Sequence, residues 1–210
     1  NISHYLKTPL SAINGYAELI NSNDLSKEKI QKYACIIASE SKRLSVLAKD
    51  ILQISLLESK TILQLDEEFK ISEQIRNTLQ LTQLQWENKD IEFDLDLDEI
   101  KFSSNKEIVF QIWTNLISNA IKFSEEGSTI KISLKKEDND IVFLITNPGN
   151  IEKTDQDKVF NLFYTKSKQQ SRDSNGVGLA LTSRIINKLN GTITLFSNET
   201  EVSFKVTIPH

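Results

Sequence analysis

The chain has 210 residues, of which 39% are hydrophobic and 26% charged, with a formal net charge of −4. This composition is typical of a globular protein with one large or two modest domains. An acidic balance argues against a nucleic-acid-binding surface, which needs basic residues to neutralise phosphates. The single cysteine excludes an internal disulfide, and two histidines are too few for a histidine-rich metal site. Since the sequence lacks methionine altogether, we expect a piece of a longer protein.

The first ten residues place His4 on a helix with an apolar seam. Seam positions recur at helical steps of four and three residues: Leu6, Leu10, Ile13, Ala17 and Ile20. Because His4 falls beside this seam, we expect its imidazole to reach water and to be able to act as a nucleophile at neutral pH. The alternative is an ordinary surface histidine.

A second helix is predicted after a turn at residues 21–24. Ser26 can cap its N-terminus, and apolar residues then recur at steps of three and four from Ile30 to Ile54, with one interruption at Glu40. Two such antiparallel helices bury only one face against each other. This favours a homodimeric four-helix bundle; the alternative is a hairpin that packs on the rest of its own chain.

The helical period fails near residues 58–65, which predicts a boundary between domains at 1–59 and 64–210. The second domain should alternate strands and helices. We expect strands at 63–69, 91–97, 129–136, 141–146, 192–196 and 202–208, and helices at 72–88, 105–123 and 179–190. Ser104 and Glu107 form a candidate capping box for the middle helix. Helices covering one face of a sheet make an α/β sandwich, so the fold class of the whole chain is α+β.

One face of the predicted helix 105–123 is polar. Asn115, Asn119 and Lys122 are spaced by four and three residues, so all three project from that face. Such a face is usually just solvated. Two carboxamides and an ammonium group can also supply an oxygen ligand to Mg²⁺ and a cation to nucleotide phosphates.

Two glycines precede the predicted helix 179–190. Gly176 and Gly178 would let the backbone approach a phosphate at the positive helix end, although the segment is neither a P-loop nor a Rossmann loop. The preceding stretch, residues 164–175, is polar and contains Lys166, Lys168 and Arg172, which predicts a mobile lid whose cations meet phosphates.

Several segments resemble the motifs of sensor histidine kinases of two-component systems, and they follow each other along the chain in the order typical of that family. Residues 3–10 resemble the H-box, 115–123 the N-box, and 175–181 the G2 box, while Phe160 and Phe163 fit the F-box. The G1 box is degraded at 145–151, where Asn147 replaces an aspartate, Gly149 is kept and Ile151 replaces the second glycine. The H-box departs at Tyr5, where the family usually carries an acidic acid/base partner of the histidine.

The resemblance implies an ATP-binding domain of the gyrase and histidine-kinase type, with Mg²⁺ as the metal. His4 would accept the γ-phosphoryl group and pass it to an aspartate of a response regulator, and Thr8 would orient water for phosphatase activity. The family pattern assigns ATP binding to Asn115, Asn119, Lys122, Phe123, Asn147, Gly149, Ile151, Phe163, Lys166, Gly176, Val177, Gly178 and Leu179. Asn119 would also ligate Mg²⁺. The resemblance further implies the cytoplasmic portion of a membrane-anchored sensor.

The two departures predict weakened kinase chemistry. A phenol is a poor base at neutral pH, so Tyr5 should slow autophosphorylation by about 10²- to 10⁴-fold, and Tyr5→Glu should raise the rate. Neutral Asn147 should bind the adenine amino group more weakly by about 1 kcal/mol than an aspartate would. An alternative is therefore a response-regulator phosphatase or scaffold, for which Thr8 is intact. A gyrase-like ATPase without histidine phosphorylation is a third possibility. The predicted helical hairpin that bears His4 argues against it.

Overall fold

The computed structural model of the chain describes residues 2–22, 25–58, 67–165 and 176–210, and the side chains of residues 2–4 and 58 lie outside this description. In the described part the helices are α1 (Ile2–Asn21), α2 (Lys27–Glu58), α3 (Ile71–Leu81), α4 (Gln83–Glu87), α5 (Lys106–Phe123), α6 (Lys153–Gln156) and α7 (Gly178–Lys188). The strands are β1 (Glu67–Lys70), β2 (Glu92–Leu97), β3 (Lys101–Ser104), β4 (Thr129–Glu137), β5 (Asp140–Pro148), β6 (Thr192–Ser197) and β7 (Glu201–Pro209). None of the described helices is both long and apolar enough to cross a membrane.

Helices α1 and α2 form the predicted antiparallel hairpin. Tyr16 of α1 contacts Tyr33 of α2, with ring centroids 5.2 Å apart, while Leu6, near the other end of α1, packs in a cluster with Leu47. Ser26 caps α2 as predicted, because the Lys29 backbone N–H donates to the Ser26 hydroxyl oxygen at 3.4 Å. These contacts place the start of α1 level with the C-terminal half of α2.

The second part of the chain is built on a five-stranded sheet in the order β2-β4-β5-β7-β6. Strand β2 runs parallel to β4, and the remaining pairs are antiparallel. Buried residues alternate along β4 at Ile130, Ile132 and Leu134, and these side chains share one core with the buried faces of α3, α5 and α7. The sequence prediction of an α/β sandwich is confirmed, and we call residues 67–210 the α/β domain.

A polar network inside this core fixes α5 against α3. Trp113 is completely buried, and its indole N–H donates to Gln74 Oε1 at 2.9 Å. The Gln74 amide in turn donates to the Lys106 carbonyl oxygen at 2.8 Å. Buried polar atoms are stable only when they are paired, so this network defines the position of α5 along α3.

Two details of the predicted helices are wrong. The helix predicted over 72–88 is divided into α3 and α4 at Thr82, where φ and ψ are −99° and 9° and the chain turns. The N-cap of α5 is Asn105 rather than Ser104. The Asn105 side-chain oxygen accepts from the backbone N–H groups of Glu107 and Ile108, both at 3.1 Å.

Four other elements also differ from the sequence prediction. Strand β1 begins at Glu67, and residues 59–66, which contain the predicted start of this strand and the domain boundary, lie outside the described residues. Strand β3 was not predicted; it pairs with β1 in a separate two-stranded sheet. Helix α6 was also not predicted, and β5 extends to Pro148, two residues further than expected.

Candidate functional site

Two cavities of about 260 and 460 Å³ meet beside the C-terminal half of α5. The smaller, which we call the inner cavity, reaches under the end of β5. The larger, the outer cavity, opens against α2. Both are lined by Asn119, Phe123, Val159, Tyr164 and Leu179. Because they share these walls, the two cavities form one crevice between the α/β domain and the hairpin.

Helix α5 brings Asn115, Asn119 and Phe123 to this crevice, whereas Lys122 lines neither cavity. Asn119 lies where the cavities meet. Asn115 is engaged with α7, because its side-chain N–H group donates to the Gly178 carbonyl oxygen at 3.2 Å and to the Thr182 hydroxyl at 3.1 Å. Asn119 therefore remains the candidate ligand for a nucleotide-bound metal, and Asn115 holds the N-terminus of α7 against α5.

The C-terminal end of α5 is fixed by a lysine that sequence reasoning missed. The Lys89 ammonium group donates to the carbonyl oxygens of Ile121, Lys122 and Ser124, each at 2.9 Å. The negative pole of the helix dipole also stabilises a cation at this end of the helix. Phe123 is about half exposed at the crevice, and Lys122 Nζ lies 5.5 Å from the Phe123 ring centroid. No sequence signal links Lys89 to a helix end 32 residues away.

The end of β5 supplies the wall of the inner cavity. Asn147 is 5% exposed, and its side-chain N–H group donates to the Pro148 carbonyl oxygen at 2.8 Å. Its side-chain oxygen is therefore the atom that can accept from a ligand. Gly149 has φ +147°, and its N–H donates to the Thr200 carbonyl oxygen at 2.9 Å. The Ile151 side chain occupies the wall where the family pattern has its second glycine.

Phe163 and Gly176 meet at the outer side of the crevice. The Phe163 backbone N–H donates to the Gly176 carbonyl oxygen at 2.7 Å, and the two residues have φ +68° and +63°. A Cβ atom on Gly176 would lie 2.5 Å from the Tyr164 carbonyl oxygen, so no side chain fits there. Val177 is buried behind this contact and Leu179 lines both cavities. Lys166, with the rest of the predicted lid up to Asn175, lies outside the described residues.

Tyr164 is a further crevice residue that sequence reasoning missed. Burial, together with a hydrogen bond to Asp155 and the charges of Asp155 and Glu152, raises the pKa of Tyr164 to about 12. Its hydroxyl is therefore protonated at neutral pH and donates its hydrogen bond to Asp155. The only sequence signal was its position beside Phe163.

The hairpin presents cations to the outer cavity. Lys42 and Arg43 of α2 line it together with Ser39, Val46 and Asp50. Arg43 also pairs with Glu40, with 3.6 Å between the nitrogen and oxygen atoms, which accounts for the charged interruption of the apolar seam. Neither Lys42 nor Arg43 was singled out in the sequence, because helix periodicity alone does not show which face meets the second domain.

The predicted phosphoacceptor segment lies in α1. His4 belongs to this helix, and its side chain is outside the described part of the chain. Tyr5, the next residue, contacts Phe163 of the α/β domain, and Thr8 is exposed one turn further on. The roles of His4 and Thr8 therefore stay predictions.

The donor set of the crevice fits a metal that arrives with a nucleotide. Among the residues that the structure describes, no three histidine, cysteine, aspartate or glutamate side chains are grouped as metal ligands. Asn119 offers a neutral carboxamide oxygen at the junction of the two cavities. Mg²⁺ typically takes one or two protein oxygens and completes its shell with phosphate oxygens and water.

An α/β sandwich with a crevice facing a helical hairpin defines a class of protein in which a nucleotide-binding domain works on a helical phosphoacceptor. Family models agree with this class. Residues 104–210 match the histidine kinase-, DNA gyrase B- and HSP90-like ATPase family, and residues 1–60 match the His kinase A phospho-acceptor domain. The chain belongs to the sensor histidine kinases of two-component systems, and its α/β domain is an ATP-binding domain.

Relatives cover the whole chain. The heme sensor protein HssS of Staphylococcus haemolyticus is 34% identical over 211 residues, which are 100% of this chain and 46% of that protein. HssS of Staphylococcus aureus strain Newman is 34% identical over 213 residues, with the same coverage. The chain thus spans about half the length of the curated relatives that it matches.

Solved structures share the fold. The Acinetobacter baumannii histidine kinase AdeS has a TM-score of 0.78 and 23% identity, covering 98% of this chain and 97% of that one. The histidine kinase ThkA, solved in complex with the response regulator protein TrrA, has a TM-score of 0.79 and 24% identity, covering 99% of this chain and 59% of that one. At this identity the likeness concerns the fold.

Proposed function

We propose that the chain transfers the γ-phosphoryl group of ATP to His4 and then to an aspartate of a response regulator. The observation that carries this proposal is the crevice itself, whose inner cavity can hold a base and whose outer cavity opens on the hairpin that carries His4. The regulator bound to ThkA supports a partner of the same class. Nucleic acid is not expected as a partner of a chain with a net charge of −4.

The described residues suit binding and positioning. Asn147 can accept from the adenine amino group in the inner cavity, while Asn119 would hold Mg²⁺ through its side-chain oxygen. The metal would neutralise phosphate charge when it is bound. Lys42 and Arg43, on the α2 side of the outer cavity, add positive charge where the triphosphate would leave the inner cavity. Phosphoryl transfer relies mainly on such positioning and charge neutralisation.

The test is incubation of the purified chain with Mg²⁺ and γ-labelled ATP. We expect acid-labile label on the wild-type chain and none on His4→Gln, with unchanged ATP binding in that variant. An Asn119→Ala chain should lose label together with Mg²⁺-dependent ATP binding. Absence of label on the wild-type chain, despite measurable ATP binding, would overturn the proposal. Regulator dephosphorylation that is lost in Thr8→Ala but kept in His4→Ala would assign the predicted phosphatase role to Thr8.

We also propose that the working unit is a homodimer joined through the hairpin. Large apolar side chains on both helices are exposed in the single chain: Leu10, Leu19, Ile30, Leu52 and Leu56. Their burial against a second copy would complete a four-helix bundle. Sedimentation equilibrium should give a dimer that is weakened by Leu10→Glu. Since the curated relatives are about twice as long, we further propose that the chain is the cytoplasmic part of a membrane-anchored sensor.

A further inference from the structure

Tyr5 makes two contacts with one residue of the α/β domain. Its ring stacks on Phe163, with centroids 4.3 Å apart and planes inclined by 17°. Its hydroxyl donates to the Phe163 carbonyl oxygen at 3.1 Å. Phe163 is only 6% exposed, so most of its ring is covered. An offset aromatic stack combined with a hydrogen bond fixes both the distance and the orientation of the two side chains.

This aromatic pair belongs to a larger apolar contact. Phe163 and Val177 of the α/β domain form a cluster with Leu47 of α2, and three partly buried residues of the hairpin pack against it: Leu6, Ile51 and Ile54. Tyr5 lies at the end of α1 nearest to this cluster and adds the directional contacts to it. The hairpin and the α/β domain therefore meet through a cluster of several apolar side chains and not through a single exposed ring.

The chemistry of the contact explains why an acid does not suit position 5 in this chain. The partner atom is a carbonyl oxygen, which accepts hydrogen bonds and cannot donate them. A carboxylate can neither donate to that oxygen nor stack on the ring. A phenol supplies a donor and an aromatic face at once. Position 5 is thus suited to contact with Phe163 and not to holding a proton for His4.

The contact also reaches the nucleotide crevice. The Phe163 backbone donates its N–H to Gly176, and the next residue, Tyr164, lines both cavities. His4 is adjacent to Tyr5 in α1. A contact that holds Tyr5 therefore holds the backbone of the predicted phosphoacceptor at a fixed place beside the crevice.

We propose that Tyr5 is a positioning residue for phosphoryl transfer, which docks the His4 turn of α1 onto Phe163 at the edge of the nucleotide crevice. This inference rests on the proposed kinase function. It replaces the acid/base role that the family pattern gives to position 5, so transfer in this chain depends on geometry. Misplacing reacting groups by about 1 Å can cost about 10²-fold in rate.

The two accounts of Tyr5 predict opposite results for one substitution. If Tyr5 is only a missing base, Tyr5→Glu accelerates labelling of His4. If Tyr5 docks α1, Tyr5→Glu is slower than the wild type, because it loses both the stack and the hydrogen bond to Phe163.

The experiment measures single-turnover labelling of His4 in the full 210-residue chain at saturating ATP, with the ATP dissociation constant measured in parallel. We expect Tyr5→Leu to slow labelling by about 10- to 100-fold with little change in ATP affinity. Tyr5→Phe, which keeps the stack, should recover most of the rate. Tyr16→Leu is the matched control, because the Tyr16 ring contacts Tyr33 within the hairpin, and its rate should stay near that of the wild type.

Phe163→Leu and the double variant Tyr5→Leu/Phe163→Leu test the pair itself. Residues that act through one contact give non-additive effects, so the double variant should be no slower than the slower single variant. Additive losses, an unchanged or faster Tyr5→Leu chain, or a Tyr5→Glu chain faster than wild type would each overturn the proposal. An unlabelled wild-type chain would instead overturn the proposed kinase function.

A second measurement does not depend on phosphoryl transfer. Spin labels on the exposed Cys35 and on an introduced cysteine, Leu84→Cys, report the distance between the hairpin and the α/β domain. We expect Tyr5→Leu to broaden this distance distribution and Tyr5→Phe to leave it narrow. An unchanged distribution in Tyr5→Leu would contradict the docking role.

Discussion

Gly176 and Gly178 belong to one sequence motif, but the structure predicts opposite tolerance to alanine. Gly176 has φ +63°, and an added Cβ atom would lie 2.5 Å from the Tyr164 carbonyl oxygen and 2.7 Å from the Phe163 carbonyl carbon. At Gly178 the nearest atoms are those of the Asn115 side chain at 3.5 Å, an ordinary contact distance. Both glycines would otherwise be assigned the same role at the phosphates.

The expected loss at Gly176 has two parts. Placing alanine in the left-handed region costs about 1–2 kcal/mol, and moving backbone to relieve the overlap costs about 1–3 kcal/mol more. The sum is about 2–5 kcal/mol, below the stability of a typical domain, so the variant should fold. Gly178 begins α7, where alanine is the better helix former, and its replacement should stay within about 1 kcal/mol of the wild type.

Thermal unfolding and ATP titration of both variants test this difference. Gly176→Ala should lower Tm by about 4–20 °C, given a shift of about 2–4 °C per kcal/mol for a chain of this size. It should also weaken ATP binding by about tenfold or more, equivalent to about 1.4 kcal/mol, because the displaced backbone carries the crevice wall. Equal losses in the two variants, or a stable Gly176→Ala chain, would refute the reasoning.

Three further predictions concern stability and ionisation. Asn105→Ala should lower the free energy of unfolding by about 1 kcal/mol, and Ser104→Ala by less, since Asn105 caps α5; denaturant titration decides between them. Lys89→Met should lower the free energy of unfolding by about 1–3 kcal/mol, because three carbonyl oxygens at the α5 terminus lose their donor. Amide hydrogen exchange at this terminus should become faster, and unaltered exchange would contradict the prediction. Phenolate absorbance should show Tyr164 ionising near pH 12. Because that pKa is raised on folding, its stabilising contribution is lost between about pH 10 and 12, and Asp155→Asn should lower the pKa.

Periodicity predicted the elements that bury a complete face. Helix α5 was placed within one residue, because its apolar positions from Val109 to Ile121 repeat with the helical period and all lie in the core. Its cap shifted from Ser104 to Asn105, since both types can cap and only the backbone geometry decides. Asn119 and Leu179 line the crevice and were correctly placed in helices, whereas Asn147 was predicted to follow its strand and lies within β5.

Other features depend on contacts that a linear pattern does not contain. Strand β3 has four residues and a single buried one, which is too short for an alternation to be recognised. The turn at Thr82 has no distinct sequence signal, because threonine also lies inside α3 at Thr78. Tyr5 and Phe163 are 158 positions apart, so their contact follows from the arrangement of the hairpin on the α/β domain.

The shared wall of the crevice has a thermodynamic consequence. The outer cavity is bounded by α2 on one side and by residues of the inner cavity on the other. The affinity for a bound nucleotide would therefore depend on the position of the hairpin. If ATP favours one hairpin orientation by a given factor, a stimulus that imposes that orientation must raise ATP affinity by the same factor. If the proposed function holds, nucleotide affinity would therefore report the orientation of the hairpin without any measurement of phosphoryl transfer.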